Sequence, residues 1–186
     1  MRELSLNVMD ITQNSISAGA TEIGISVFES EVSEELIITI TDNGKGMTEE
    51  QVKSVTDPFY TTRTTRPVGL GVPLFKMEAE MTGGDFEIKS TLGVGTKVIA
   101  RFITSSIDMI PLGDINATVL PLVTGNSRIN FIYERTFVKK NGEEKSFRFE
   151  TNEVLEVLGE DVPLEAPEIV LWIRDYLNEN TEEILN

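Results

Sequence analysis

The sequence contains no cysteine and no histidine. The first absence excludes disulfides, thiolate nucleophiles and cysteine-ligated metal sites. The second excludes a Ser-His-Asp triad, a zincin-type metal site and a phosphorylated histidine on this chain. Basic residues are also scarce: 16 Lys and Arg stand against 31 Asp and Glu, a net charge of −15. Residues 1–104 carry 9 against 15 and the remainder 7 against 16, so the acidity is spread and heaviest at the C-terminal end. A nucleic acid needs a basic footprint to release its counterions, and an anionic membrane surface needs the same, so both are disfavoured as partners. No run approaches the roughly 20 apolar residues of a membrane span. "MRELSLNVMDITQNS" has neither the apolar core nor the cleavage signal of a secretory peptide. These absences together lead us to expect a cytoplasmic protein.

Apolar residues make up 40 % of the 186, enough for an ordinary core. The length suits one domain, or one domain with a substantial extension. Along residues 3–20, Leu4, Val8, Ile11 and Ile16 fall near helical spacing, and Gly19 is a helix stop. Ile23, Ile25 and Val27 then alternate as in a strand. "LIITITDNG" is a β-branched run that ends abruptly at Asp42-Asn43-Gly44. Thr48, with Gln51 three residues later, predicts a capping box at the start of a short helix. "GVPLFKMEAEMTGG" predicts a helix with Pro73 in its first turn and Gly83-Gly84 at its end. "DFEIKST", the "LGVG" turn and "TKVIARFI" predict a hairpin. This order is not an alternating βαβ series, which argues against a Rossmann fold. Beyond residue 105 we expect a helix with Asp114 near its start and a hairpin turning at Asn141-Gly142. A short helix capped by Thr151 follows, then an amphipathic helix with Ile169, Trp172, Ile173 and Tyr176 on one face.

Three segments can carry chemistry. In "TDNGKGM" a strand delivers Asp42 to a turn where Gly44 and Gly46 remove side chains. A carboxylate there can accept from an exocyclic amine while a flat ring lies on bare backbone; the same letters also describe an ordinary β-turn. In "DITQNSISAGA", Asp10 and Asn14 are i and i+4 on a helix and share a face. Such a pair can serve a metal and a water, since Mg²⁺ takes oxygen ligands, or can simply be a solvated polar face. "DPFYTTRTTRPVGLGVPL", residues 57–74, gathers hydroxyls, Arg63 and Arg66, and Gly69 and Gly71 ahead of a helix N-terminus. That combination suits phosphate, and it also suits a mobile polar loop.

Taken together and in order, these segments resemble the GHKL ATPases, the superfamily of gyrase, the heat-shock chaperone, histidine kinases and MutL. "DITQNSISAGA" resembles the N box, in its MutL form. "DNGKGM" resembles the G1 box. "DPFYTTR" and "GLGV" resemble the F and G2 boxes of histidine kinases, and "GVGTKV" (93–98) the closing Gly-x-Gly-Thr element. The resemblance covers residues 1 to about 104 and implies a Bergerat-fold α/β sandwich, an α+β architecture with a mixed sheet and helices on one face. Residues 105–186 are then a C-terminal helix–hairpin–helix extension of unknown role, in which Trp172 and Tyr176 serve packing or an interface.

The resemblance also implies bound ATP and Mg²⁺. Asp42 takes the adenine amine, Gly44, Gly46 and Met47 form the adenine side of the pocket, and Thr96 supports the water near Asp42. Asn14 holds Mg²⁺ across the phosphates. Thr61, Thr62 and Arg63 belong to the lid, and Gly69, Leu70, Gly71 and Val72 to the phosphate loop. Asp10 falls where a catalytic glutamate is usual and is one methylene shorter. The usual first glycine of the G2 box is replaced near Pro67-Val68. The ATP-binding part begins almost at Met1 with no histidine-bearing helix pair ahead of it, so a complete sensor kinase is not expected. The function implied is an ATP-binding protein acting as a kinase in trans or as a switch on a protein partner. The alternatives are a MutL-like ATP-driven clamp and a non-catalytic interaction module with a degenerate ATP site.

Overall fold

The computed structural model describes residues 3–57, 70–159 and 162–186. The elements run α1 (Leu4–Ser17), β1 (Glu22–Ser30), β2 (Glu35–Asp42), α2 (Glu49–Thr56), α3 (Gly71–Met81), β3 (Asp85–Thr91) and β4 (Gly95–Ile103). They continue with α4 (Ile115–Thr124), β5 (Asn130–Val138), β6 (Glu144–Glu150), α5 (Thr151–Leu158) and α6 (Pro167–Leu185). The strands form one sheet in the order β3-β4-β2-β1-β5-β6. All neighbours are antiparallel except β1 and β5, which run parallel in register from Glu22↔Asn130 to Ser30↔Val138. The sheet is therefore mixed and the architecture α+β, as expected.

The alternation of each strand decides which face is covered. Ile23, Ile25 and Val27 of β1, Leu36, Ile38 and Ile40 of β2, and Val98, Ala100 and Phe102 of β4 all lie on one face and are all buried. Leu4, Val8 and Ile11 of α1 are buried with them, as are Phe75 of α3 and Val119 of α4. Each such Val, Leu, Ile or Phe side chain stabilises the fold by about 1.5–3 kcal/mol through lost contact with water. Phe75 fixes α3 by packing on Phe102 and Phe86, with ring centroids 5.4 and 6.5 Å away. The β3–β4 hairpin thereby decides where the N-terminus of α3 sits.

Local signals in the sequence act as expected at most element ends. Thr48 and Gln51 form a complete capping box at α2. Gly19 and Gly83 take positive φ just after α1 and α3, Gly142 does so in the β5–β6 turn, and Asp114 caps α4 by accepting from Ala117 N at 2.9 Å. Two expectations are corrected. Thr151 does not cap α5; Glu150 is the N-cap, and its carboxylate accepts from Asn130 and Arg148 and not from the helix N–H groups. The Thr151 hydroxyl is buried and accepts instead from the backbone N–H of Phe131 at 3.2 Å, tying α5 to β5. On α6, Ile173 is buried and Ile169 and Tyr176 pack against the core as expected, but Trp172 is 47 % exposed, stacked on Tyr176, and the buried face runs on through Leu177, Thr181 and Ile184. Leu177, Thr181 and Ile184 extend the stripe from Ile173, and Trp172 lies one residue, about 100°, away from it.

Residues after 105 are built into the same core. β5 lies along β1, and the carbonyls of Pro111 and Leu112 accept from Leu4 N and Ser5 N at 3.0 and 2.9 Å. These two bonds satisfy free donors at the N-terminus of α1, whose N-cap Glu3 accepts from no helix N–H through its side chain.

Candidate nucleotide site

β2 delivers Asp42 to the covered face at the end of the sheet, half-buried. Its carboxylate is held from two sides. Ser15 of α1 donates to Oδ2 at 2.6 Å, and the backbone N–H of Gly44 donates to Oδ1 at 2.8 Å. Each carboxylate oxygen can accept more than one bond, so both retain acceptor capacity. The turn after Asp42 is pinned by Asn43, whose Oδ1 accepts from Thr21 N and Glu22 N at 2.9 and 3.0 Å.

Gly46 has φ +64°, and a Cβ there would lie 2.0 Å from the carbonyl oxygen of Thr91. No side chain fits, so the backbone of the turn lies directly against β3. Met47 N then donates to Ser90 Oγ at 2.8 Å, and that hydroxyl also meets Thr96 Oγ1 at 2.8 Å. Thr96 stands across from Asp42 in the β2–β4 register. Asp42, Gly44, Gly46, Met47 and Thr96 are thus brought together around one end of the sheet.

Asp10 and Asn14 lie one turn apart on α1, both exposed, and neither makes a side-chain hydrogen bond among the described residues. Gly71, the first residue of α3, has its vacant Cβ position 3.0 Å from Asp10 Cβ and 3.5 Å from Asp10 Oδ2. A side chain here would crowd Asp10, so the glycine favours the close approach of the two helices. In the first turn of α3, Pro73 has no N–H and Leu74 N bonds Leu70 O at 3.0 Å, which leaves the N–H groups of Gly71 and Val72 without an intrahelical acceptor. The side chain of Val72 is in the core and that of Leu70 is 62 % exposed. Thr61, Thr62, Arg63, Arg66, the Pro67-Val68 pair and Gly69 lie outside the described residues.

Two residues of this site were not singled out from the sequence. Ser15 continues the buried stripe of Leu4, Val8 and Ile11, and a hydroxyl at the next core-facing position of α1 was the available signal. Ser90 becomes legible once the "LGVG" turn sets the hairpin register that places it opposite Thr96. A shallow depression of ≈ 350 Å³ lies on the helix-free side, lined by Gly24, Ser26, Thr39 and Thr41, by Glu22 and Glu134, and at the sheet end by Asp42 and Asn43. The sheet separates it from α1 and α3.

Residues 1–105 match the family described as histidine kinase-, DNA gyrase B-, and HSP90-like ATPase. The match covers more than half of the chain, and the chain belongs to this family. It is 33 % identical over 109 residues to a putative sensor protein of Shewanella frigidimarina (strain NCIMB 400), covering 58 % of this chain and 17 % of that protein. It is 35 % identical over 106 residues to sensor protein SrrB of Staphylococcus aureus, covering 54 % of this chain and 18 % of that protein. The matched stretch is therefore less than a fifth of the length of these curated relatives. Among solved structures, the Aquifex aeolicus MutL ATPase domain complexed with ADP gives a TM-score of 0.47 at 17 % identity, over 82 % of this chain and 65 % of that one. The N-terminal domain of a DNA repair protein gives 0.49 at 14 % identity, over 78 % and 52 %.

Proposed function

We propose that the chain binds Mg-ATP between α1, the β2–α2 turn and α3, and uses it on a protein partner, as a kinase in trans or a nucleotide-dependent switch. The observation that carries this is the Asp42 carboxylate, oriented by Ser15 and Gly44 N–H beside the bare backbone of Gly46. A fixed acceptor suits the amine of adenine and not guanine, which presents a carbonyl oxygen at the equivalent ring position. Family membership over residues 1–105 supports the same reading. The net charge of −15 favours a protein partner over a nucleic acid, and a cytoplasmic location belongs to this reading too. No helix among the described residues is long and apolar enough to cross a membrane.

The donor set fits magnesium. No group of three or more His, Cys, Asp or Glu that could hold a metal occurs among the described residues. Mg²⁺ does not need one, because it keeps several waters and takes one or two protein oxygens alongside substrate phosphates. Asn14 would hold it through its amide oxygen, and when bound it supplies neutralisation of phosphate charge. The N–H groups of Gly71 and Val72 and the dipole of α3 favour the phosphates themselves. Residues 1–104 are the nucleotide-binding part in this reading, and 105–186 an extension that braces α1.

Asp10 is the group that would orient or deprotonate the attacking hydroxyl. A general base must come within about 2.6–3.2 Å of the proton it takes, or act through one water. Aspartate in place of glutamate withdraws the carboxylate by about 1.5 Å, one C–C bond. Water attack is then slow, and a partner's hydroxyl brought in by docking reaches more easily. The test is phosphate release under saturating Mg-ATP by the parent, Asp10→Asn and Asp10→Glu chains. We expect weak turnover by the parent, none by Asp10→Asn with binding retained, and a gain in Asp10→Glu. Parental turnover by Asp10→Asn would remove Asp10 from the mechanism. In the same binding assay Asn14→Ala should lose the magnesium dependence of ATP affinity.

A further inference from the structure

The seam between α1 and α3 contains a buried polar pair that the nucleotide site itself does not use. Glu78 of α3 is 4 % exposed and Asn7 of α1 is 7 % exposed, and the Asn7 side-chain amide donates to Glu78 Oε2. Burying a carboxyl group is costly unless it is hydrogen-bonded, so a helix seam that needed only adhesion would be apolar. Adhesion is already supplied by Val72, Phe75 and Ala79 of the same helix, all buried in the core.

The pair sits in line with the site. Asn7, Asp10 and Asn14 are i, i+3 and i+7 on α1 and share one face; Gly71 and Glu78 are i and i+7 on α3 and share another. The two helices thus meet at two points along these faces, Asn7 with Glu78 and Asp10 with Gly71. Apolar contacts tolerate sliding, whereas a directional hydrogen bond does not. Gly71 lies about 10 Å along α3 from Glu78, two helical turns away, so a shift at the pair is carried rigidly to the N-terminus of α3.

We propose that Asn7 and Glu78 are a positioning pair: they set α3 against α1 so that the Gly71–Val72 N–H groups face the same phosphate as Asp10 and Asn14, and they thereby set the preference for a triphosphate over a diphosphate. The inference rests on the nucleotide-binding reading above. Adenine recognition lies at the other end of α1, with Ser15 and Asp42, and is independent of the pair.

The test is calorimetric affinity for Mg-ATP and Mg-ADP, with melting temperature measured in parallel, on the full chain. The Asn7→Leu/Glu78→Leu variant replaces both members of the pair with apolar groups, and its melting temperature reports whether it folds. It should keep ADP affinity and lose ATP affinity about tenfold, a coupling of ordinary size between linked sites. Glu78→Gln preserves an acceptor for Asn7 and should keep the parental ATP/ADP ratio. Glu78→Met, close to Glu in volume, gives the same readout if the double variant does not fold. A folded double or Glu78→Met variant with the parental ratio would overturn the proposal. A parent that binds neither nucleotide would overturn the nucleotide reading, and this inference with it.

Discussion

Gly46 is the residue with least freedom in the site. Its φ of +64° and the 2.0 Å between its vacant Cβ position and the Thr91 carbonyl oxygen leave neither conformation nor space for a side chain. Gly46→Ala should therefore destabilise the fold by at least about 2 kcal/mol, combining backbone strain with displacement of β3. Urea denaturation measures this, and an unchanged midpoint would show that the turn relaxes freely. That a glycine belongs at 46 was legible from "DNGKGM"; the strand it presses on was not, because contact with Thr91 depends on a hairpin forty-five residues downstream. Asp42 was legible for a related reason, since a β-branched run that stops at Asp-Asn-Gly must turn there. Ser15 was passed over because a lone hydroxyl in an apolar helical stripe carries no chemistry until its partner, Asp42, is placed.

Among the elements, α4, β5 and α6 meet at Asn116. Its amide nitrogen donates to Leu177 O, Asn178 Oδ1 and Thr181 Oγ1 at 3.2, 3.0 and 3.0 Å, and its amide oxygen accepts from Tyr133 Oη at 3.2 Å. Burial pushes the Tyr133 phenol up to about 12, so it remains a donor across the physiological range. Asn116→Ala strands the buried Leu177 carbonyl and Thr181 and Tyr133 hydroxyls, each at a cost of about 1–3 kcal/mol, and should lower the melting temperature without changing nucleotide affinity. A variant that melts with the parent would show that water replaces the amide. Helix starts and hairpin turns were readable because caps and turns are made by neighbouring residues, as at Thr48/Gln51 and Gly142. Thr151 was misread because its hydroxyl answers to β5 and not to its own helix.

On the scale of the whole molecule, one sheet spans both the family-matched part and the residues beyond it. Nothing in "RINFIYERTFV" states that it lies parallel to β1, a pairing that joins segments about a hundred residues apart. A chain ending at residue 104 would leave β1 as an open edge and take Pro111 O and Leu112 O away from α1. It should aggregate or lose cooperative unfolding, whereas a truncated chain melting with the parent would show that the extension is dispensable. The most direct measurement of the central claim is calorimetry of the parent and Asp42→Asn with Mg-ATP and Mg-GTP. The account predicts that the parent prefers ATP and that Asp42→Asn loses about 1.5–3 kcal/mol of ATP affinity, the range for a hydrogen bond to a charged group. Equal affinity for the two nucleotides, or no loss in Asp42→Asn, would contradict it.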